Sequence, residues 1–297
     1  MMSINNKLII HFIGIGGIGM SGIAELMYDL GYKVQGSDIG INENIKRLKK
    51  KGIKIFKSHK KNNVKNIFSA VYSSAIMGDN SEIIACKKQS IPLISRADML
   101  AELMRNKKSV AIAGSHGKTT TTSLVGTIFD KANYDPTIIN GGIINSYSKN
   151  NKHGKGEWLI AEADESDGSF LKLPHQISII TNLDIEHIDY YLTKENLIQA
   201  FKKFILNLPF YGTAIVCVDN DNLTNIVKEI NTRNIITYSI INKKADVFVT
   251  NIKNDRYFTY FKIKINKNIK GYKGVFNFKI KLLGDHNILN GTASMIA

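Results

Sequence analysis

The sequence contains little cysteine and lacks a long apolar run. Its 297 residues include two cysteines, Cys86 and Cys217, too few for a disulfide framework or for a zinc site with four thiolates. We expect both thiols to be buried in a protein of the reducing cytoplasm. The stretch 8–20 is apolar but is interrupted by His11 and four glycines, whereas a membrane span needs about 18 continuous apolar residues. The sequence therefore predicts a cytoplasmic protein without membrane insertion.

Acidic residues and arginines are also scarce. There are 25 acidic residues against 40 lysines and arginines, which gives a formal charge of +15, and only five of the 40 are arginines. A charge of this size ordinarily suggests a nucleic-acid or membrane partner. Because the excess is almost all lysine and accompanies abundant isoleucine and asparagine, we interpret most of it as a solvated lysine surface. A smaller part of the charge is expected to hold phosphorylated substrates. We expect no nucleic-acid partner, and no oligomeric state is predicted.

The order of the elements predicts an α/β protein of two domains, since 297 residues suit domains of about 150 residues each. An apolar run at 8–13, a glycine turn and an apolar-periodic stretch at 20–30 indicate a strand, a turn and a helix. Further strands are expected at 33–36 and 66–72. This alternation predicts a Rossmann-like parallel sheet in an amino-terminal domain of residues 1–106.

Residues 107–297 are predicted to form a second α/β domain of the P-loop type. Strands are expected at 109–113, 158–161 and 177–181, and a pattern of period two from 245 to 283 predicts added antiparallel strands. The sequence stops at Ala297 inside an apparent helix without a capping residue. We therefore expect this second domain to be truncated.

The first glycine turn matches G-x-G-x-x-G. Gly14, Gly16 and Gly19 follow the first strand, and Asp38 lies 19 residues beyond the last of them. In this pattern the glycines admit a diphosphate to the backbone at a helix amino terminus, and the acid binds a ribose hydroxyl. Because any diphosphate-bearing nucleotide has the same requirements, the turn does not distinguish NAD from a UDP-sugar. A close crossing of strand and helix without a ligand also remains open.

A second turn, at residues 114–119, has the composition of a phosphate-binding loop. Gly114 and Gly117 are followed by Lys118 and Thr119, although the strict Walker A pattern fails because Ile112 stands at its first glycine position. A lysine there reaches β- and γ-phosphates, and the hydroxyl at the helix start is placed to bind Mg²⁺. The turn between a strand and a helix therefore predicts a nucleoside triphosphate site.

Acidic residues and a histidine follow the next two predicted strands. Glu162 comes first in its loop and is the favoured direct or water-mediated Mg²⁺ ligand. Glu165, Asp167 and Glu186 suit either metal binding or a solvated loop or helix cap. His187 alone would suit a structural role, but its place after a strand beside the phosphate turn favours a functional one.

Several segments together resemble the Mur ligase family, and most closely its members that join L-alanine to UDP-N-acetylmuramate. The match runs in the family's order from residue 8 to the end. Its segments are IHFIGIGGIGMSG at 10–22, VYSSAI at 71–76, AGSHGKTT at 113–120, NGG at 140–142, EADESD at 162–167, TN at 181–182 with His187, NLP at 207–209 and GDHNILN at 284–290.

The resemblance implies a three-domain enzyme in which residues 1–106 hold a UDP-sugar and residues 107–297 form most of a central ATPase domain. A carboxyl-terminal Rossmann-like domain would lie outside this sequence. The implied reaction is ATP-dependent ligation of L-alanine to UDP-N-acetylmuramate through an acyl phosphate, with Mg²⁺. It belongs to peptidoglycan precursor synthesis, and so to cell wall biogenesis, cell shape and cell division.

The resemblance also implies roles for individual residues. Lys118 and His187 are the expected catalytic residues, and Thr119, Glu162 and His187 the expected metal ligands. Expected ATP-binding residues are Gly114, Ser115, His116, Gly117, Lys118, Thr119, Thr120, Asn287 and Asn290. Expected UDP-sugar-binding residues are Gly16, Gly17, Ile18, Gly19, Asp38, His59, Ser73 and Ser74.

Three alternatives remain open. A ligase that recycles murein tripeptide shares most of these motifs, although ESDGSF at 165–170 is more typical of the alanine-adding enzymes. An NAD-dependent dehydrogenase would account for the first glycine turn and leave the second unexplained. An inactive nucleotide-binding fragment would bind the UDP-sugar without releasing phosphate.

Overall fold

The computed structural model describes residues 8–73, 75–144 and 149–297, which group into two units. The first unit is Met1–Leu103 with Ile139–His153, and the second is Met104–Ile138 with Gly154–Ala297. The sequence did not anticipate that 139–153 groups with the first unit. A long-range contact accompanies this grouping, because Asn151 Nδ2 donates to Glu25 Oε2 at 3.2 Å. The domain limits 1–106 and 107–297 stay predictions.

The first unit is a parallel five-stranded sheet in the order β3-β2-β1-β4-β5, with helices between the strands. Its central strand has an almost continuous apolar sequence because both of its faces are covered. The strand order reverses between β1 and β4, where such sheets bind ligands. The elements are β1 (Ile9–Ile13), α1 (Ile18–Asp29), β2 (Lys33–Ser37), α2 (Glu43–Lys50), β3 (Lys54–Phe56), β4 (Ser69–Tyr72), α3 (Ser81–Lys88), β5 (Leu93–Ser95) and α4 (Arg96–Arg105).

The remaining elements continue the chain from the end of α4. They are β6 (Lys108–Ala113), α5 (Lys118–Lys131), β7 (Thr137–Ile144), β8 (Lys149–Lys152), β9 (Trp158–Glu162), β10 (Ile177–Ile180), α6 (Ile188–Tyr191), α7 (Lys194–Leu206), β11 (Thr213–Cys217), α8 (Asp221–Glu229), β12 (Asn234–Ser239), β13 (Val247–Asn254), β14 (Thr259–Ile269), β15 (Tyr272–Ile280) and α9 (Asp285–Ile296).

The sheet of the second unit is mixed. The strands that lie wholly within this unit have the order β15-β14-β13-β12-β11-β10-β6-β9. Strands β9, β6, β10, β11, β12 and β13 pair in parallel, whereas β13, β14 and β15 form an antiparallel meander. The predicted α/β class, with a parallel first sheet and antiparallel strands added to the second, is confirmed.

In the core of the second unit, the sheet packs against α5, the helix that begins at the phosphate turn, and against α9. Val125 and Phe129 of α5 and Ile288 of α9 belong to the same buried cluster as Val110 and Ile112 of β6. Packing against a central strand fixes the position of α5, and therefore of the turn before it.

Both cysteines are free and buried. Burial raises the pKa of Cys86 to about 11 and that of Cys217 to about 12, so both remain protonated thiols near neutral pH. Within the described residues, no helix combines the length and apolar character that crossing a bilayer requires.

Candidate active site

Three loops of the second unit meet at one edge of its sheet. Strand β6 lies between β10 and β9, and all three run in parallel. Their carboxyl ends therefore meet at the same edge. The loops that leave them are 114–117, 163–168 and 181–187, which contain the phosphate turn, the acidic segment and the segment ending at His187.

The phosphate turn depends on two glycines. Gly114 has a φ of +137° and Gly117 a φ of +82°, values that side chains rarely tolerate. A Cβ at Gly114 would collide with Thr181 Oγ1, and one at Gly117 would lie 2.6 Å from Asn290 Oδ1. Gly117 is also the N-cap of α5, and a glycine has no side chain with which to cap the first turn. The first N–H groups of α5 are thus suited to an anion.

Side chains of the loop after β10 bind the backbone of the phosphate turn, and Ser115 of the turn binds the backbone of that loop. Asn182 Oδ1 accepts from His116 N at 2.8 Å, and Asn182 Nδ2 donates to His116 O at 3.0 Å. Thr181 Oγ1 donates to the same carbonyl at 2.7 Å, while Ser115 Oγ accepts from Asp184 N at 2.8 Å. These hydrogen bonds between the two loops fix the shape of the turn.

The Lys118 ammonium lies over the turn. Its Nζ donates to Gly114 O at 2.6 Å, to Ser115 O at 3.3 Å and to Glu165 Oε1 at 2.8 Å. The side chain of Lys118 is 15% exposed. A phosphate group at the turn would meet this charge directly.

Thr119 and Glu162, the two residues predicted to bind Mg²⁺ together, are in side-chain contact. Thr119 Oγ1 donates to Glu162 Oε2 at 3.1 Å and lies 3.3 Å from Oε1. Hydroxyl and carboxylate oxygens are the hard donors that Mg²⁺ prefers, and two of them leave room for substrate oxygens and water. The pair therefore fits Mg²⁺. Within the described residues, no group of three or more His, Cys, Asp or Glu side chains has the arrangement of a metal site.

Glu165, which the sequence left undecided, connects the two residues predicted to be catalytic. Its Oε1 contacts Lys118 Nζ and lies 3.8 Å from His187 Nε2. Burial raises the pKa of the Glu165 carboxyl, and the bond from Lys118 opposes this. Tyr191 Oη donates to Glu165 O at 2.5 Å and holds the backbone. The sequence alone could not show that Glu165 lies between Lys118 and His187.

His187 ends the loop after β10, and His116 of the phosphate turn contacts acids of that loop. His187 is the N-cap of α6, with a left-handed φ of +57°. The exposed His116 ring lies 3.5 Å from Asp184 Oδ2 and 3.4 Å from Glu186 Oε1. Asp167 Oδ1 accepts from Ser169 N at 3.0 Å, within its own loop.

The two asparagines of α9 differ in their environment. Asn290 is 4% exposed and its side-chain amide lies against Gly117. Asn287 Nδ2 donates to Leu283 O at 2.8 Å, within its own segment. Thr120 is half-buried in the first turn of α5. The structure thus brings Asn290 to the phosphate turn.

The glycine turn of the first unit begins α1. Gly17 is the N-cap and the helix starts at Ile18, which is 51% exposed; Gly19 follows it. Asp38 Oδ2 accepts from Gly16 N at 2.8 Å, and its Oδ1 accepts from Gly40 N at 2.9 Å. Asp38 thus holds the turn itself, in addition to any part it plays in binding a nucleotide.

The other residues predicted to bind the UDP-sugar follow two strands of the same sheet, β3 and β4. His59 Nδ1 lies 2.9 Å from both Ser37 Oγ and Glu82 Oε2. Ser73 follows β4, and its Oγ accepts from Ala75 N at 3.3 Å. Ser74 lies outside the described residues. The roles predicted for all these residues, and for those of the second unit, stay predictions.

Two side chains near the glycine turn, those of Arg96 and Glu82, were not predicted from the sequence to have a role. Arg96, the first residue of α4, lies so close to Gly19 that a Cβ there would be 3.3 Å from its Cδ and Nη1. Glu82 is fully buried in the first turn of α3. A lone arginine and a lone acid have no motif around them, so the sequence contained no signal for either.

Comparison with known proteins agrees with this geometry. Residues 9–108 match the Mur ligase family, catalytic domain, and residues 112–297 match the Mur ligase middle domain. The fold is similar to the crystal structure of UDP-N-acetylmuramate-alanine ligase from Thermotoga maritima, with a TM-score of 0.83 and 28% identity over 96% of this chain and 63% of that one. It is also similar to a UDP-N-acetylmuramate:L-alanyl-gamma-D-glutamyl-meso-diaminopimelate ligase from Neisseria meningitides, with a TM-score of 0.87 at 20% identity, over 97% of this chain and 92% of that one.

Curated relatives share more of the sequence. UDP-N-acetylmuramate--L-alanine ligase of Rickettsia rickettsii (strain Sheila Smith) is 53% identical over 96% of this chain and 59% of its own length. The protein of the same name from Bartonella tribocorum is 47% identical over 97% of this chain and 60% of its own length. The chain therefore spans about 60% of the length of these relatives. With both of its units matched, the chain belongs to the Mur ligase family, as the resemblance predicted.

Proposed function

We propose that this chain supplies the UDP-sugar-binding and ATP-binding units of a cytoplasmic ligase that joins L-alanine to the carboxylate of UDP-N-acetylmuramate, in peptidoglycan precursor synthesis. The observation that carries the proposal is the meeting of Lys118, Thr119, Glu162 and His187 around a helix amino terminus whose N-cap is a glycine. These residue types suit a nucleoside triphosphate and the charge that develops when its terminal phosphoryl group is transferred.

The proposed reaction has two displacement steps. An oxygen of the muramyl carboxylate attacks the γ-phosphorus of ATP, the bond to the β-phosphate oxygen breaks, and ADP leaves with that electron pair. The L-alanine amine then attacks the acyl carbon, loses a proton, and expels inorganic phosphate. No protein nucleophile is required, so the enzyme contributes positioning and charge stabilisation.

Each residue of the phosphate turn has a part in this scheme. The N–H groups at the start of α5 bind the β- and γ-phosphate oxygens. Lys118 exchanges its contacts with Gly114 O, Ser115 O and Glu165 for the phosphates and follows the charge as it moves to the acyl phosphate. Before nucleotide binds, Glu165 holds the ammonium at the turn.

Thr119 and Glu162 would hold Mg²⁺, and His187 would contribute to a second metal position. When bound, the metal neutralises phosphate charge and orients the oxygens for in-line transfer. The 3.1 Å contact between Thr119 Oγ1 and Glu162 Oε2 supports the first assignment. His187 is 39% exposed beside Glu165, which leaves it accessible to an ion.

The glycine turn of the first unit would bind the diphosphate of the UDP-sugar. Its N–H groups at the start of α1 and the Arg96 guanidinium beside Gly19 both favour an anion. The glycines admit the diphosphate to the backbone. The names of the 53% and 47% identical relatives support L-alanine as the amino acid.

Calorimetry and a phosphate-release assay test the proposal. The chain should bind UDP-N-acetylmuramate, and it should separately bind a non-hydrolysable ATP analogue with Mg²⁺. Phosphate release that requires L-alanine supports the full reaction, whereas release with the tripeptide alone would assign the chain to the recycling ligases. Failure to bind either nucleotide, or binding of NAD in their place, would overturn the proposal.

A further inference from the structure

A buried carboxylate lies behind the glycine turn of the first unit. Glu82 has no exposed surface, yet four polar side chains surround it. Its Oε2 accepts from Ser37 Oγ at 2.5 Å and lies 2.9 Å from His59 Nδ1. Its Oε1 accepts from Asn63 Nδ2 at 2.7 Å and lies 3.4 Å from His11 Nε2. A charge so enclosed is uncommon unless its partners are arranged for it.

This cluster is directly connected to the turn. The Ser37 carbonyl accepts from Gly14 N at 2.8 Å and from Ile15 N at 3.0 Å. The next residue, Asp38, accepts from Gly16 N at 2.8 Å. The residue that holds Glu82 and the residue that shapes the turn are therefore neighbours in the chain. His59 is fixed to the same point through Ser37 Oγ.

The hydrogen-bond pattern determines which ring nitrogen of His59 carries the proton. Burial raises the pKa of Glu82, but the partners His11, Ser37 and Asn63 outweigh it and lower the pKa to about 2. An ionised carboxylate only accepts, so the single hydroxyl hydrogen of Ser37 is directed at Glu82. Ser37 Oγ and Glu82 Oε2 are then both acceptors toward His59 Nδ1, and Nδ1 must be the protonated nitrogen.

The backbone of His59 is held as firmly as its ring. Ser81 Oγ donates to His59 O at 2.7 Å, and Asn63 Nδ2 donates to Ser58 O at 2.7 Å as well as to Glu82. The side chain of His59 nevertheless keeps 16% of its surface exposed. With Nδ1 directed inward, the imidazole presents Nε2 on its opposite edge, which in the neutral ring is an acceptor.

We propose that Glu82 is a positioning residue that holds His59 in its Nδ1–H tautomer, so that Nε2 accepts a hydrogen bond from the nucleoside part of the ligand at the glycine turn. This inference rests on the nucleotide site proposed above. A diphosphate offers only acceptors, so the group that His59 recognises is a donor, either a ribose hydroxyl or the imide N–H of the base. The turn and Arg96 bind the charge, and His59 selects the nucleoside.

The histidine ¹⁵N spectrum of the whole chain tests this directly. In its neutral form His59 should show a protonated Nδ1 and a bare Nε2. UDP should move the Nε2 signal and leave Nδ1 nearly unmoved. 3-Methyl-UDP lacks the imide N–H, and 2′,3′-dideoxy-UDP lacks the ribose hydroxyls. The change in the Nε2 signal should disappear with one of these two analogues, and that analogue identifies the donor. A protonated Nε2, an Nε2 signal that bound UDP does not move, or a change that survives with both analogues would overturn the proposal.

Variants separate positioning from general stability. His59→Asn keeps a donor near the position of Nδ1 and removes Nε2, so UDP should bind about five- to tenfold more weakly with an unchanged thermal midpoint. Glu82→Gln should weaken UDP binding similarly and give His59 a mixture of tautomers. Glu25→Gln is the matched control, since Glu25 is also buried but pairs with Arg47 and Lys51. It should leave UDP affinity unchanged.

The outcomes distinguish this inference from the proposed function. If calorimetry detects no UDP binding to the unmodified chain, the nucleotide assignment of the first unit fails and the inference fails with it. If UDP binds but Glu82→Gln and Glu25→Gln weaken it equally, the assignment survives and Glu82 has a structural role only.

Discussion

Replacing Glu82 by Gln should remove a part of the stability of the first unit that depends on pH. In the folded chain the pKa of Glu82 is lowered from 4.5 to about 2. A difference of one between the folded and unfolded pKa corresponds to about 1.4 kcal/mol, so the ionised carboxylate contributes about 3 kcal/mol relative to its protonated form. Because the folded pKa is the lower one, this contribution is fully present above pH 4.5 and is lost as the pH falls from 4.5 to 2.

The assay is urea unfolding at a series of pH values, followed through the methyl NMR signals of Ile10 and Ile13, which report on the first unit. Other acids contribute equally to both proteins and cancel in the difference. The free-energy difference between the original chain and Glu82→Gln should therefore approach about 3 kcal/mol near neutral pH and shrink below a pH of about 4.5, by about 1.4 kcal/mol for each pH unit. Glu43→Gln is the control, because Lys46 lowers the pKa of Glu43 on an exposed surface, where such pairs contribute little. A difference for Glu82→Gln that stays constant between neutral pH and a pH of about 3 would refute the reasoning.

Three further predictions concern the phosphate turn. Lys118→Ala should abolish binding of an ATP analogue and ATP-dependent phosphate release while leaving UDP-sugar affinity nearly unchanged in calorimetry; equal loss of both would contradict the division of roles between the units. Gly117→Ala should destabilise the second unit by more than Gly271→Ala does in urea unfolding, because both positions have positive φ, costing about 1–2 kcal/mol, but only the first has a neighbouring side chain within 4 Å. Equal costs would show that the close approach is unimportant. Asn182→Ala should lower stability by about 1–2 kcal/mol and weaken ATP-analogue binding, whereas Asn207→Ala, which also removes a side-chain bond to a backbone carbonyl, should leave that binding intact.

The strands, turns and helices that form the two sites could be predicted from the sequence, because each depends on residues that are close together along the chain. Glycines followed by a periodic apolar stretch indicated both strand–turn–helix units, and the period of two indicated the antiparallel strands β13–β15. Each of these patterns reflects the neighbours of a residue along the chain. The side-chain partners were harder to predict. That Glu165, rather than Asp167, reaches Lys118 depends on β9 and β10 flanking β6.

Long-range buried contacts explain most of what the sequence did not reveal. Glu82 becomes important because β1, β2 and α3 bring His11, Ser37 and Glu82 together, and nothing in the sequence marks these three as a group. The segment 139–153 groups with the first unit through contacts such as that of Asn151 with Glu25. Neither contact has a periodic signal, because each joins residues far apart in the chain.

We expect the turn at residues 114–119 to bind a nucleoside triphosphate with Lys118 on its terminal phosphates. A crystal structure of the chain with a non-hydrolysable ATP analogue and Mg²⁺ would test this. The β- and γ-phosphates should lie at the N–H groups that begin α5, with the metal at Thr119 and Glu162. Lys118 Nζ should have turned from Gly114 O and Glu165 to the phosphates. A turn without nucleotide at saturating analogue, with Lys118 still bound to Glu165, would contradict it.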